Sequence, residues 1–178
     1  MLFPTTFPSL HSERLLLRQI VPKDLPNIYQ GLSDKKVIRY YGVSFASLEA
    51  TEAQMEWYEQ LWAEQTGIWW AICAKETGTF LGACGYNEYQ PHHKKIELGY
   101  WLLPLHWKKG YVSEALQLVV PYAFENLEIN RIEAFVETGN VASDKVLKKL
   151  QFIHEDTLRN CEYKNDRFIS LKVFGRQG

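Results

Sequence analysis

The stretch from Glu97 to Glu114, ELGYWLLPLHWKKGYVSE, limits the fold more than any other part of this chain. Its first part, Ile96 to Leu103, is the aromatic-rich pattern of a strand, ended by Pro104. After Gly110 the residues Ala115, Leu118, Val119, Tyr122 and Ala123 recur at helical spacing. The pattern predicts a strand that passes through a loop into a helix, with a glycine at the helix mouth. A glycine there lets backbone N–H groups approach a ligand, and the free amides and dipole of the helix end favour phosphate. Lys108 and Lys109 place cations just before it. A glycine beside two lysines also fits an ordinary solvated helix start, and the residues alone leave both readings open. No G-x-x-x-x-G-K-[ST] and no strand-borne G-x-G-x-x-G is present, which excludes a P-loop and a dinucleotide fingerprint.

The rest of the chain bounds what this segment can serve. Its 178 residues suit one domain with a real core. A net charge of −1 with dispersed lysines excludes a general nucleic-acid surface. Cys73, Cys84 and Cys161 are odd in number and form no C-x-x-C, so they read as free thiols of a reducing cytoplasm. The lead-in MLFPTTFPSLHSERL lacks the basic and apolar regions of a signal peptide. The longest apolar run, Ile68 to Ala74, is too short to span a membrane. Aromatic residues make up 14%, enough for a thick core or a pocket for a flat or extended ligand.

Taken in order, Glu13 to Ile20 reads as a first strand after an irregular lead-in. A helix is predicted over Leu25 to Leu32, started by Asp24 in a turn where a carboxylate suits the dipole. A short helix follows at Lys35 to Tyr40, then a loop from Gly42 to Ser47. Ser47 caps a longer helix from Leu48 to Gln65 with a Met55, Tyr58, Leu61, Trp62 stripe. Strands are predicted at Ile68 to Lys75, Thr79 to Tyr89 and Lys95 to Leu103, then a helix at Lys109 to Asn126. Ile129 to Thr138 is a further strand, Gly139-Asn140 a tight turn and Ala142 to Leu150 a helix. A hairpin of Gln151 to Tyr163 and Arg167 to Phe174 ends the chain. This order predicts an α/β (α+β) sandwich, with helices on both faces of a mixed, mostly antiparallel sheet.

Two motifs carry a resemblance. G-Y-W-L-x-P-x-x-W-x-K-G-Y-x-x-E-A resembles the acetyl-CoA-binding segment of the GNAT acetyltransferases, in particular the ribosomal-protein-alanine N-acetyltransferase (RimJ/RimL-like) branch. The superfamily's [QR]-x-x-G-x-[GA] falls on Trp107, Lys108, Lys109, Gly110, Tyr111 and Val112. Lys108 stands where the branch often has glycine, and Val112 where it often has a smaller residue. G-N-x-x-S-x-x-V-L-x-K-L-x-F, from Gly139 to Phe152, resembles the family segment after the next strand, with Gln151 in place of a glycine. The resemblance covers nearly all of the chain and implies a single GNAT domain over residues 1–178.

That resemblance implies acetyl-CoA as the donor, with CoA as product. The loop from Trp107 through Ser113 would hold the pyrophosphate, and Asn140 would bond the pantetheine arm. The end of the strand, Trp101 to Leu103, would bulge so that the Leu102 N–H meets the thioester oxygen. Glu97 sits where the branch often carries an acid, and it would draw the amine proton through water. The family's tyrosine seven residues after the asparagine is Leu147 here, so Ser143 is the substitute that protonates or hydrogen-bonds the leaving thiolate. As plain residues, Glu97 could instead bind a surface cation, Asn140 could be an N-cap and Ser143 a first-turn polar residue. His92, His93 and His106 have no ligand spacing and read as turn residues, so no metal is expected. Cys84 and most of Trp57, Trp62, Trp69 and Trp70 read as core, with one or two tryptophans lining an acceptor groove. The branch implies a protein N-terminal α-amine as acceptor, built against by the Leu32 to Ser47 loop, the following helix and the terminal hairpin. A small amine, a non-catalytic acyl-CoA sensor and a homodimer stay open.

Overall fold

A computed structural model describes residues 4–178, so Met1 to Phe3 of the lead-in lie outside the described residues. Eight strands form one sheet in the order β1 (Leu10–His11), β2 (Leu15–Gln19), β3 (Ile68–Ala74), β4 (Phe80–Gln90), β5 (Lys95–Leu102), β6 (Arg131–Glu137), β8 (Arg167–Gln177), β7 (Ile153–Lys164). Among the described residues only β5 and β6 pair in parallel, joined by the crossover helix α4 (Tyr111–Asn126). A two-residue hairpin cannot join parallel strands, so this crossover follows from the pairing itself. This is the arrangement the order of elements predicts, a mixed, mostly antiparallel sheet with helices on both faces.

Alternation along the strands sorts the core onto two faces. Ile96, Leu98 and Leu102 of β5, with Ile132, Ala134 and Val136 of β6, pack toward α4 and α5 (Val141–Lys149). Trp101 of β5 and Trp69 of β3 pack on the other face, beneath α1 (Leu25–Ser33), α2 (Lys35–Ile38) and α3 (Glu52–Ala63). Asp24 lies in the short turn before α1 rather than inside it. There its carboxylate takes a bidentate pair from Arg18 (2.7 and 2.8 Å) and accepts the Val21 N–H (2.9 Å), tying β2 to α1.

Three expectations are corrected. The lead-in holds the short strand β1, paired with β2. The helix expected from Leu48 begins at Glu52 instead. Ser47 Oγ accepts the Ala50 N–H (3.0 Å) and Thr51 Oγ1 donates to the Ser47 carbonyl (2.8 Å), so local side-chain bonds hold a separate turn ahead of α3. The crossover helix begins at Tyr111, after Gly110, rather than at Lys109. Among the described residues no helix is long and apolar enough to cross a membrane.

Candidate active site

The expected bulge at Trp101 to Leu103 is absent. The β4–β5 register runs unbroken from Gly82–Leu102 to Asn87–Glu97 and shifts only between Asn87 and Gln90. The opening arises on the other side of β5. Its pairing with β6 stops at Glu97–Glu133, although the strands run on to Leu102 and Glu137. Leu103 donates its N–H to Leu81 of β4 (2.9 Å). Neighbouring strand residues face opposite ways in the hydrogen-bonding direction, so the N–H and C=O of Leu102 point away from β4 and into the gap. The carbonyl there accepts the Trp107 indole N–H (2.8 Å). Trp107 therefore fastens the following loop to the strand and leaves the amide of Leu102 facing the opening.

The loop then turns into α4 through two left-handed residues, Lys108 at φ 60° and Gly110 at φ 82°. Glycine takes this conformation at no steric cost, whereas Lys108 is strained by it. Gly110 is the N-cap of α4 and supplies no side-chain cap, and the first helical bond runs from Glu114 N to Gly110 O (3.0 Å). The amides of Tyr111, Val112 and Ser113 thus stand at the helix mouth without intrahelical partners. A cavity of about 390 Å³ opens there, lined by Gly110 and Ser113 together with Arg14, Glu114 and Lys149. This donor-rich, glycine-edged mouth fits a pyrophosphate.

Sequence reasoning gave no role to the residues that hold the mouth in shape. Glu114 accepts from Ser12 Oγ (2.6 Å), Arg14 N (3.1 Å) and Arg14 Nε (2.7 Å), while Arg14 also donates to the Lys109 carbonyl (3.1 Å). The Arg14 guanidinium also lies 4.7 Å from the centre of the Tyr111 ring. Burial works to raise the Glu114 pKa, but the bonds from Ser12 and Arg14 hold it below the usual carboxylate value. Glu114 belongs to the quoted motif, yet its partners come from the other end of the chain. No local spacing could have found them.

At the turn after β6, Asn140 caps α5 by accepting the Ser143 N–H on Oδ1 (3.2 Å). The cap leaves both Nδ2 hydrogens for another partner, so capping and ligand binding are compatible. Ser143 is half-buried in the first turn of α5. Burial pushes the neighbouring Tyr100 phenol up to about 12, against the pull of the Ser143 side chain. Leu147 is fully buried in the core.

Glu97 shares its face of β5 with Gly99 and Trp101, as expected, and the Trp69 ring lies over Gly99. It opens into a trough of about 390 Å³ lined also by Glu88, Lys95, Glu133 and Phe135. Burial first, then the charges of Glu88, Glu133 and Glu162, push the Glu97 carboxyl up to about 7, against Lys95. A carboxyl there can both take and release a proton near neutrality. Five steps of extended strand, about 16 Å, separate Glu97 from Leu102, too far for direct contact between them. Trp69 and Trp70 are buried, and Trp57, half-buried, meets Trp69 at 5.8 Å. Cys84 is buried with its thiol pushed up by that burial, which suits a core residue. Among the described residues no three histidine, cysteine or carboxylate side chains come together as a set that could hold a metal ion.

A family model described as an acetyltransferase (GNAT) domain matches residues 14–153. The uncharacterised N-acetyltransferase YoaA of Bacillus subtilis strain 168 is 37% identical over 169 residues, 94% of this chain and 96% of YoaA. Among solved structures, the ribosomal L7/L12 alpha-N-protein acetyltransferase RimL in complex with coenzyme A superposes with a TM-score of 0.84 at 22% identity, over 93% of this chain and 95% of RimL. Spermidine N-acetyltransferase from Vibrio cholerae, with CoA and spermine, gives 0.83 at 18% identity, over 93% of this chain and 96% of that one. At such identities these two likenesses speak for the fold alone.

Proposed function

Because the chain belongs to the GNAT acetyltransferase family, as an acetyl-CoA-dependent N-acetyltransferase, we propose that it moves the acetyl group directly to the α-amine of a protein or peptide N-terminus. Residues 1–178 act as one catalytic domain. The observation that carries this reading is the gap between β5 and β6, with the Leu102 amide facing into it. A backbone donor fixed at such a point polarises a thioester carbonyl where negative charge develops. Trp101 and Leu103 flank it and line the donor's path. Gly110 with the amides of Tyr111, Val112 and Ser113 holds the pyrophosphate, and Lys108, Lys109 and Arg14 supply counter-charge. Trp107 keeps that loop against the strand, and Asn140 bonds the pantetheine amide. Glu97 receives the proton of the amine through water. Ser143 gives a hydrogen bond to the departing thiolate.

The resemblance of the Gly99–Ala115 and Gly139–Phe152 motifs to the RimJ/RimL-like branch supports a peptide N-terminus as acceptor. A second reading, a small polycationic amine, is favoured by the three carboxylates Glu88, Glu97 and Glu133 around one trough. Titrating CoA and acetyl-CoA by calorimetry, with Gly110→Pro as control, tests the donor site. Following thiol release with a panel of peptides and amines then tests the acceptor. Micromolar binding, about −8 kcal/mol, with release driven by peptides is the expected result. Release with polyamines alone favours the second reading, and binding without release a sensor domain. No binding by the unaltered protein overturns the donor site.

A further inference from the structure

When the thioester C–S bond breaks, the sulfur leaves with the electron pair and needs a proton. A phenol, with an unperturbed pKa of roughly 10, is better matched to a thiol of roughly 8.5 than a serine hydroxyl, which does not ionise in that range. Leu147 offers none, being fully buried and apolar. Another phenol reaches the same corner from a different element. After α2 the chain runs through Arg39 to Tyr40, whose hydroxyl lies 3.6 Å from where a Cβ would stand on Gly139. Gly139, at φ 100°, immediately precedes Asn140.

The backbone next to Tyr40 is anchored from the terminal hairpin. Lys164 Nζ donates to the Arg39 carbonyl (2.9 Å) and to Glu137 Oε2 (2.8 Å), so the residue before Tyr40 is tied to the end of β6, two positions before Gly139. Glu137 is 4% exposed and also meets Arg167 (3.4 Å). The Arg39 guanidinium lies 5.1 Å from the centre of the Tyr40 ring. Gly139 and Asn140 follow directly on β6, whose pairing with β5 ends at Glu97–Glu133, so Tyr40 stands at the open end of the gap that the Leu102 amide faces.

We propose that Tyr40 is the catalytic acid of the transfer, giving its phenolic proton to the sulfur of CoA as the C–S bond breaks. This inference rests on the reading of the β5–β6 gap as the site of acetyl transfer. The new bond is between the amine nitrogen and the acetyl carbon. The amine proton passes toward Glu97, and the Tyr40 phenolate regains its proton from solvent. Ser143, beside Tyr100, keeps only a hydrogen-bonding part.

The test is the variant Tyr40→Phe, which keeps the ring and removes the donor. Its first readout needs no turnover: the affinity for CoA, and for desulfo-CoA, measured by calorimetry from pH 7 to 9. A donor to the sulfur lowers the pKa of the bound thiol, so CoA gains affinity with rising pH relative to desulfo-CoA, by about tenfold for one unit of depression. The expected result is that Tyr40→Phe abolishes this gain and leaves desulfo-CoA affinity unchanged, which also shows that the fold and loop are intact. In steady state kcat falls about 100-fold with the KM for acetyl-CoA unchanged. A variant that keeps the pH-dependent gain with kcat within threefold of the unaltered protein overturns the proposal. So does a Ser143→Ala variant that removes the gain in its place. If the unaltered protein binds neither ligand, the reading of the gap fails, and the role of Tyr40 fails with it.

Discussion

Glu97 combines a raised pKa with a place at the point where β5 and β6 part. With its carboxyl pushed up to about 7, activity carried by its base form rises through neutral pH. Glu97→Gln is expected to lower kcat/KM about 100-fold and to erase the acidic limb of the pH profile, while CoA binding stays as it was. The same shift has a sign for stability. A carboxyl whose folded pKa lies above its unfolded value destabilises the fold progressively as pH rises from the ordinary carboxylate range through the folded pKa. Urea midpoints should therefore show Glu97→Gln gaining on the unaltered protein at pH 8 and not at pH 4. Lys108 gives a second prediction at this scale. Its φ of 60° is one that glycine adopts freely, so Lys108→Gly should raise stability by about 0.5–1 kcal/mol in urea unfolding. The sequence shows Lys108 departing from the family's glycine, but not that the backbone keeps the glycine's conformation.

Among the elements, the mouth of α4 depends on a clamp from the other end of the chain. Glu114→Ala removes three hydrogen bonds to Ser12 and Arg14 and should cost about 2 kcal/mol at neutral pH, with weaker CoA binding as the loop loosens. Because those bonds hold the Glu114 pKa low, their stabilisation is present above the unfolded pKa and lost as pH falls through the folded one. The gap between variant and native protein in urea midpoints should close in acid. Periodicity revealed most elements because the core faces repeat at 2 or 3.6 residues. Ile132, Ala134 and Val136 alternated as expected and are buried. The start of α3 was not legible, since Ser47 looks like a cap and its bonds to Ala50 and Thr51 instead hold a turn that stops short of the helix. Gly110 and Asn140 were legible because a motif surrounds each. Arg14 and Tyr40 were not, because each reaches its site only through tertiary packing.

At the scale of the whole molecule, the opening at the site comes from a pairing choice that no strand states by itself. Residues on β5 and β6 alternate regularly past Glu97 and Glu133, yet their pairing ends at that pair while β6 stays paired with β8 along its whole length. The far margin of the sheet has a different character. β7 is an edge strand, exposed along nearly all its length. Its register slips between His154 and Asp156, and again between Leu158 and Glu162, where four steps along β7 face two along β8. An outer strand presents unpaired backbone groups to any other chain, and bulges twist such a strand out of the flat geometry that stacking requires. Removing Arg159 and Asn160 together would straighten β7 while preserving the alternation of its side chains. Light scattering on incubation at high concentration should then rise well above that of the native chain, which makes the irregular strand a guard against aggregation.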